Sequence, residues 1–334
     1  MAAYTTIDNP EQYFQIVLYT GNGSNRTISY PNADADLDAD MIWIKQRSDA
    51  TSHTIFDTVR GAQEAIFTNN ANAETTRTDA VSAFGTDGFD LGANGDLNAN
   101  TETHVAWCWK ESATAGFDIV SYTGTGSAHT ISHSLSAVPD VMIMKGRSFS
   151  DGWIPYFKTS GNPIILALDD TVADRYSSRW SPFFNSTAPT SSVFTVGTDS
   201  AINTSSGTHI AYLWSAKQGF SKFGQYTANS NSSDFIYTGF KPAWLMVKQT
   251  DSGGNQNWGM FDNKRAGYNT ANAFLYANSS ADEDASNATT IDLLSNGFQL
   301  RANTVGSNPT KSYIYMAFAE APFVNSNGVP GNAR

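Results

Sequence analysis

The sequence contains a single cysteine, Cys108, so no disulfide can form within the chain and stability has to come from packing. Cys108 lies in an apolar run and is read as a buried packing residue rather than a reactive thiol. Charge is scarce as well, with 15% of residues Asp, Glu, Lys or Arg against roughly 25% in an average soluble protein. The net charge of −11 repels polyanions, which argues against nucleic acid and anionic lipid as partners. No apolar run approaches the ~20 residues of a membrane span. The opening MAAYTTIDNPEQYF has neither the basic nor the apolar stretch of a signal peptide. Catalytic signatures are missing too: there is no G-x-S-x-G elbow, H-E-x-x-H, P-loop or dinucleotide fingerprint, and nothing selects a carboxylate pair for glycoside hydrolysis. No catalytic residue, metal ligand or cofactor is therefore assigned.

Ser, Thr, Asn and Gly fill the place that charge leaves, alongside 40% apolar and 13% aromatic residues. Thr and aromatics favour pleated surfaces, whereas Asn, Gly and Ser favour turns, so the mixture points to short strands. At 334 residues the chain is long enough for two or three domains.

Three anchor blocks recur in the same order. The first is FQIVLYTGNGSNRTISY from Phe14, FDIVSYTGTGSAHTISH from Phe117 and FSKFGQYTANSNSSDFIY from Phe220, in which Tyr19, Tyr122 and Tyr226 correspond. A strand ending in a polar turn and followed by a second alternating strand is a β-hairpin pattern. The second block is an apolar run closed by lysine: MIWIK at Lys45, VMIMK at Lys145 and WLMVK at Lys248. Such a run suits a strand covered on both faces. The third block aligns Phe89, Phe194 and Phe298, then Trp109, Trp214 and Phe318. Offsets are 103 and 104 for the tyrosines and 105 and 104 for the third block, a register that chance does not hold.

The chain is thus expected to be all-β: three tandem β-sandwiches of jelly-roll or lectin-like type, about 100 residues each. They are placed at 14–110, 117–217 and 220–319, after an N-terminal lead (1–13) and before a C-terminal extension (320–334). One short helix is expected within VRGAQEAIF.

The sharpest polar pattern is FDTVR, with Asp57 and Arg60, against FDNKR, with Asp262 and Arg265; both are read as structural pairs closing a turn. Aligning FKTSG in the middle copy puts Lys158 and Gly161 at those positions. His104 and His209 become Tyr313 in the third copy, which suggests aromatic packing. His129 with His133, and the ladder Asp34, Asp36, Asp38, Asp40, have spacings that could hold a metal, but each belongs to one copy only and is read as ordinary surface. Trp153, Trp180 and Trp258 fall in less regular segments, where exposed rings could stack on sugar faces, and they are the candidate ligand-binding residues.

The blocks WIKQRSDATSHTIFDTVRGA, DGFDLG with HVAWCWK, and SYIYMAFAEAPFV resemble a repeat in virion structural and tail-fibre-like proteins of marine bacteriophages, including cyanophages. The resemblance covers nearly the whole chain and implies a particle component with no enzymatic site. The middle copy departs from it in lacking F-D-x-x-R. On this reading the protein is a non-enzymatic virion component assembled in the host cytoplasm, tail-associated or part of a fibre, and it contacts the host surface. Capsid decoration and polysaccharide depolymerisation are the alternatives. The expected partners are other virion proteins and a host surface glycan, without nucleic acid or membrane, and the expected assembly is a homotrimer.

Overall fold

A computed structural model describes residues 3–160, 163–173, 177–228, 234–251, 257–267, 269, 271–285, 291–301 and 310–330. The chain is nearly all antiparallel β. The first copy supplies β1 (Phe14–Thr20), β2 (Arg26–Ser29), β3 (Met41–Gln46), β4 (Thr54–Asp57), β5 (Gly61–Phe67), β6 (Thr75–Thr76), β7 (Val81–Gly85), β8 (Gly88–Leu91) and β9 (Thr103–Trp109). The second supplies β10 (Phe117–Thr123), β11 (His129–Ser132), β12 (Val141–Gly146), β13 (Ile154–Phe157), β14 (Ile164–Ile165), β15 (Val193–Val196) and β16 (Thr208–Trp214). The third supplies β17 (Ser221–Thr227), β18 (Phe235–Tyr237), β19 (Phe240–Gln249), β20 (Gly259–Asp262), β21 (Phe274–Tyr276), β22 (Ile291–Leu294), β23 (Gly297–Leu300) and β24 (Ser312–Pro322).

One strand order recurs. The larger sheets run β1-β9-β3-β4-β5-β6, β10-β16-β12-β13-β14 and β17-β24-β19-β20-β21. The smaller sheets are β2-β8-β7, β11-β15 and β18-β23-β22. Register repeats as well: Tyr19 faces His104, Tyr122 faces His209 and Tyr226 faces Tyr313. Each pair stacks, with interplanar angles of 7°, 10° and 16°.

The continuous apolar runs have a two-sided explanation. Within β3, Ile42 and Ile44 pack with Ile28, Phe89 and Leu91 of the small sheet, while Met41 and Trp43 face the opposite way. In the second copy Met142 and Met144 point inward with Phe194, and Val141 and Ile143 point outward. The outward faces meet in one apolar core to which all three copies contribute, including Trp109, Trp214, Trp244 and Phe318. The space between these side chains is only ≈ 10 Å³, so the three copies are packed against one another rather than strung as beads.

VRGAQEAIF is not helical: Gly61–Phe67 is β5, paired with β4. The reason is local. Asp57 accepts the Arg60 backbone N–H and closes a tight turn, Gly61 takes φ 109°, and the chain returns as a hairpin. A helix does form at α1 (Trp180–Phe184), ended by Asn185 in the left-handed region. No helix among the described residues is long and apolar enough to cross a membrane.

Candidate functional site

The joints between copies are where the polar motifs converge. Asp57 Oδ1 accepts the Arg60 backbone N–H at 2.8 Å, and Oδ2 takes Arg60 Nε at 2.5 Å and the hydroxyl of Tyr212, from the second copy, at 2.6 Å. Asp262 repeats this in the third copy with Arg265 Nε at 2.5 Å, and its cross-copy donor is Trp107 Nε1 of the first, at 3.1 Å. Both ion pairs are fully buried. Arg60 and Arg265 then reach Glu74 and Glu283, which in turn hold Arg147 and Arg47 of the adjoining copy.

Pairing places Asp57 opposite Met41, Phe157 opposite Val141 and Asp262 opposite Trp244, three equivalent positions. The middle-copy counterpart of Asp57 is therefore Phe157, one residue before the Lys158 that motif alignment selects; Gly161 lies outside the described residues. Lys158 sits at the surface, 3.3 Å from Asp140. The residue equivalent to Trp107 and Tyr212 is Met316, which lies opposite Met246 as Trp107 lies opposite Trp43 and Tyr212 opposite Ile143. Where the acceptor is absent, so is the donor.

The lysines that close each apolar run are buried, and two of them are held by carbonyl oxygens of the preceding copy. Lys145 Nζ donates to Ala71 O at 3.3 Å and Lys248 Nζ to Thr171 O at 3.0 Å. Lys45 Nζ donates to its own copy's Gln46 and Asp49 carbonyls, with Asp282 of the third copy near. Burial lowers these ammonium groups to about 8, 8 and 7 for Lys45, Lys145 and Lys248.

Trp153 and Trp258, expected at the surface, are 0% and 1% exposed and cannot stack on a sugar. They are joint residues: Trp153 Nε1 donates to Phe67 O of the first copy at 2.7 Å, and Trp258 Nε1 to Ala167 O of the second at 2.9 Å. His53 occupies the matching place in the first copy, beside the Tyr276 backbone of the third, and burial keeps its ring neutral. Next to it Thr68 Oγ1 donates to Ala277 O at 2.7 Å. Contacts thus run from first to second, second to third and third to first copy, and the ring closes within one chain. Trp180 is half-buried on α1, packed against the second copy's core.

The remaining candidates stay at the surface as single groups. His129 and His133 face Ser127 and Thr190 carbonyls, and Asp40 is occupied by Thr58 and the Glu111 N–H. Among the described residues no three His, Cys, Asp or Glu side chains converge as a metal site. Cys108 is buried, and burial pushes its thiol well above the usual range.

A feature of the third copy alone was not singled out from sequence. On the edge strand β18, Phe235 and Tyr237 are 46% and 47% exposed, while Ile236 between them points inward opposite Phe298. The same positions in β2 and β11 hold Thr27 with Ser29 and Thr130 with Ser132. Lys222 Nζ lies 5.1 Å from the Tyr237 ring centroid, and Tyr4 and Tyr237 hydroxyls are 3.3 Å apart. The signal was available as D-F-I-Y against R-T-I-S and H-T-I-S.

A single family model, described as "Domain of unknown function (DUF7483)", matches residues 9–322, so that one family unit spans all three copies. No curated protein matches the chain.

Proposed function

We propose that this chain, which belongs to the DUF7483 family, is a non-enzymatic structural component of a bacteriophage virion, tail-associated or part of a fibre, whose third copy meets the host surface. The observation that carries the reading is the pair Phe235 and Tyr237 on a sheet edge, the exposed large aromatics among the described residues. Aromatic faces exposed beside a cation and a tyrosine hydroxyl suit recognition of a partner with apolar faces and polar edges, as a surface glycan has. The resemblance to marine phage particle proteins supports the same reading. Assembly with other virion proteins uses outer faces, since the joints are occupied within the chain.

A second reading, capsid decoration, draws on the closed ring of three copies, a shape that suits a threefold site on a shell. Antibody-labelled electron microscopy of particles separates the two. Label on tails is expected; label confined to heads would replace the tail reading with decoration, and label on neither would remove both.

A further inference from the structure

Copy three differs from the others at a second place. Ten residues separate Asp57 from Phe67 and Phe157 from Ala167, but fourteen separate Asp262 from Tyr276, so the loop after Arg265 is four residues longer. In the first two copies an aspartate at the strand end ties this region down: Asp40 accepts the Glu111 N–H and Asp140 the Ala216 N–H, at 2.7 and 2.8 Å. Ala243 replaces it in the third copy, where only its carbonyl is used, by Asn263 N–H at 2.9 Å. In this copy Lys241, Asn263, Lys264, Asn269, Leu293 and Glu320 are among the residues that line an open cleft of ≈ 470 Å³. That volume lies in the range of clefts that hold small organic ligands.

The walls are fixed. Asn269 binds both backbone groups of Leu293, at 3.0 and 2.9 Å, and Ala271 pairs with Ile291. Across the cleft Lys241 holds Glu320 at 2.5 Å. Two groups remain to meet a ligand. Asn263 Oδ1 is buried and meets no donor among the described residues. Lys264 is exposed and has no carboxylate within ion-pair distance among them, in a chain of net charge −11. Of the two lysines and two carboxylates in the lining, Lys241 is paired with Glu320 and Asp262 with Arg265, so Lys264 is the cation left over; with side-chain amides and a small apolar floor at Leu293 this matches a ligand with many hydroxyls and one acid group.

We propose that this cleft binds a short acidic saccharide, with its carboxylate at Lys264 and a hydroxyl at Asn263 Oδ1. The proposal rests on the host-contact reading for its biological setting and names the class of glycan involved.

Calorimetry of the intact chain with a galacturonic acid trimer and a galactose trimer tests it. The acid trimer is expected to bind, the neutral one to bind about tenfold more weakly or not at all, and Lys264→Glu to weaken the acid trimer by about tenfold or more without lowering Tm. Val59→Glu, at the matching position of the first copy, is expected to leave binding intact. Absence of binding by the acid trimer, equal binding of the two trimers, or indifference to Lys264→Glu would each overturn the cleft assignment. Adsorption of the labelled chain to host cells separates the two levels. Adsorption without trimer binding overturns the cleft and leaves host contact standing; trimer binding without adsorption does the reverse.

Discussion

Tyr212 donates to Asp57 Oδ2 at 2.6 Å across the joint between second and first copies, on the same oxygen that Arg60 Nε holds at 2.5 Å. The carboxylate is buried with three donors around it, so the ion pair and the joint are one network. Trp107 and Asp262 repeat it at the joint between first and third copies. At the joint where Met316 supplies no donor, Phe157 stands in place of the aspartate. Each joint is therefore chemically matched to the residue it receives, which is how three diverged copies can close one ring.

Removing one member should expose that coupling. Tyr212→Phe keeps the ring and deletes the donor, and an unfolding free energy lower by about 1–3 kcal/mol is expected. Asp57→Ala removes the fully buried partner of Arg60 Nε and leaves Glu74 alone to balance the guanidinium, and it is expected to cost about 3 kcal/mol. Urea denaturation with an unchanged m-value would register both; a Tyr212→Phe protein as stable as the parent would show the bond to be idle.

Lys248 gives the joints a pH dependence. Burial lowers its folded-state pKa to about 7, with Asp170 opposing, whereas an unfolded lysine holds its proton to about pH 10.4. Between those values the unfolded chain binds more protons, so stability from this group rises with pH; below about 7 both states are charged and the burial cost stands in full. The Tm of the parent minus that of Lys248→Met is expected to grow from about pH 7 to about pH 10. A difference that stays flat would mean that the ammonium is solvated in the folded state.

Trp258→Phe should lower stability by about 1–3 kcal/mol through the unpaired Ala167 carbonyl, and Trp153→Phe should act alike at Phe67. Neither change should alter saccharide binding. Iodide should quench little of the tryptophan fluorescence, and strong quenching lost in the Trp258→Phe protein would put that ring at the surface after all.

These two tryptophans also show where the sequence stops being informative. Three copies in register marked the strand-forming blocks, the packing positions of the tyrosines and of His104 and His209, and the Asp–Arg pairs, because each is a local or within-copy relation; the strand order and the tyrosine–histidine stacks appear only once the strands are paired. A face buried against another copy looks, in sequence, like a face buried in the copy's own core, so Trp153 and Trp258 carried no mark of the joint. Phe157 was misaligned by one residue for a related reason: F-K-T-S-G keeps the phenylalanine of F-D-T-V-R but shifts it onto the aspartate's position, a slip that only strand pairing reveals. Lys45, Lys145 and Lys248 were visible as a pattern, but their carbonyl partners lie in loops with no shared motif. The aromatic character of positions 235 and 237 is legible in D-F-I-Y against R-T-I-S and H-T-I-S, whereas their exposure depends on β18 lying at the edge of its sheet.

Phe235→Ser with Tyr237→Ser restores what the other copies have at those positions. Both rings are about half exposed, so stability should stay within about 0.5 kcal/mol. Adsorption of the labelled protein to host cells should fall. Unchanged adsorption would take the host contact away from this edge.

That the three copies are one body is the claim on which the joints, the buried lysines and the placement of the exposed edge all depend. Scanning calorimetry of the whole chain tests it: a single transition is expected, with calorimetric and van't Hoff enthalpies equal. Two or three separable transitions, each with the enthalpy of a single copy, would contradict it and return the molecule to independent beads.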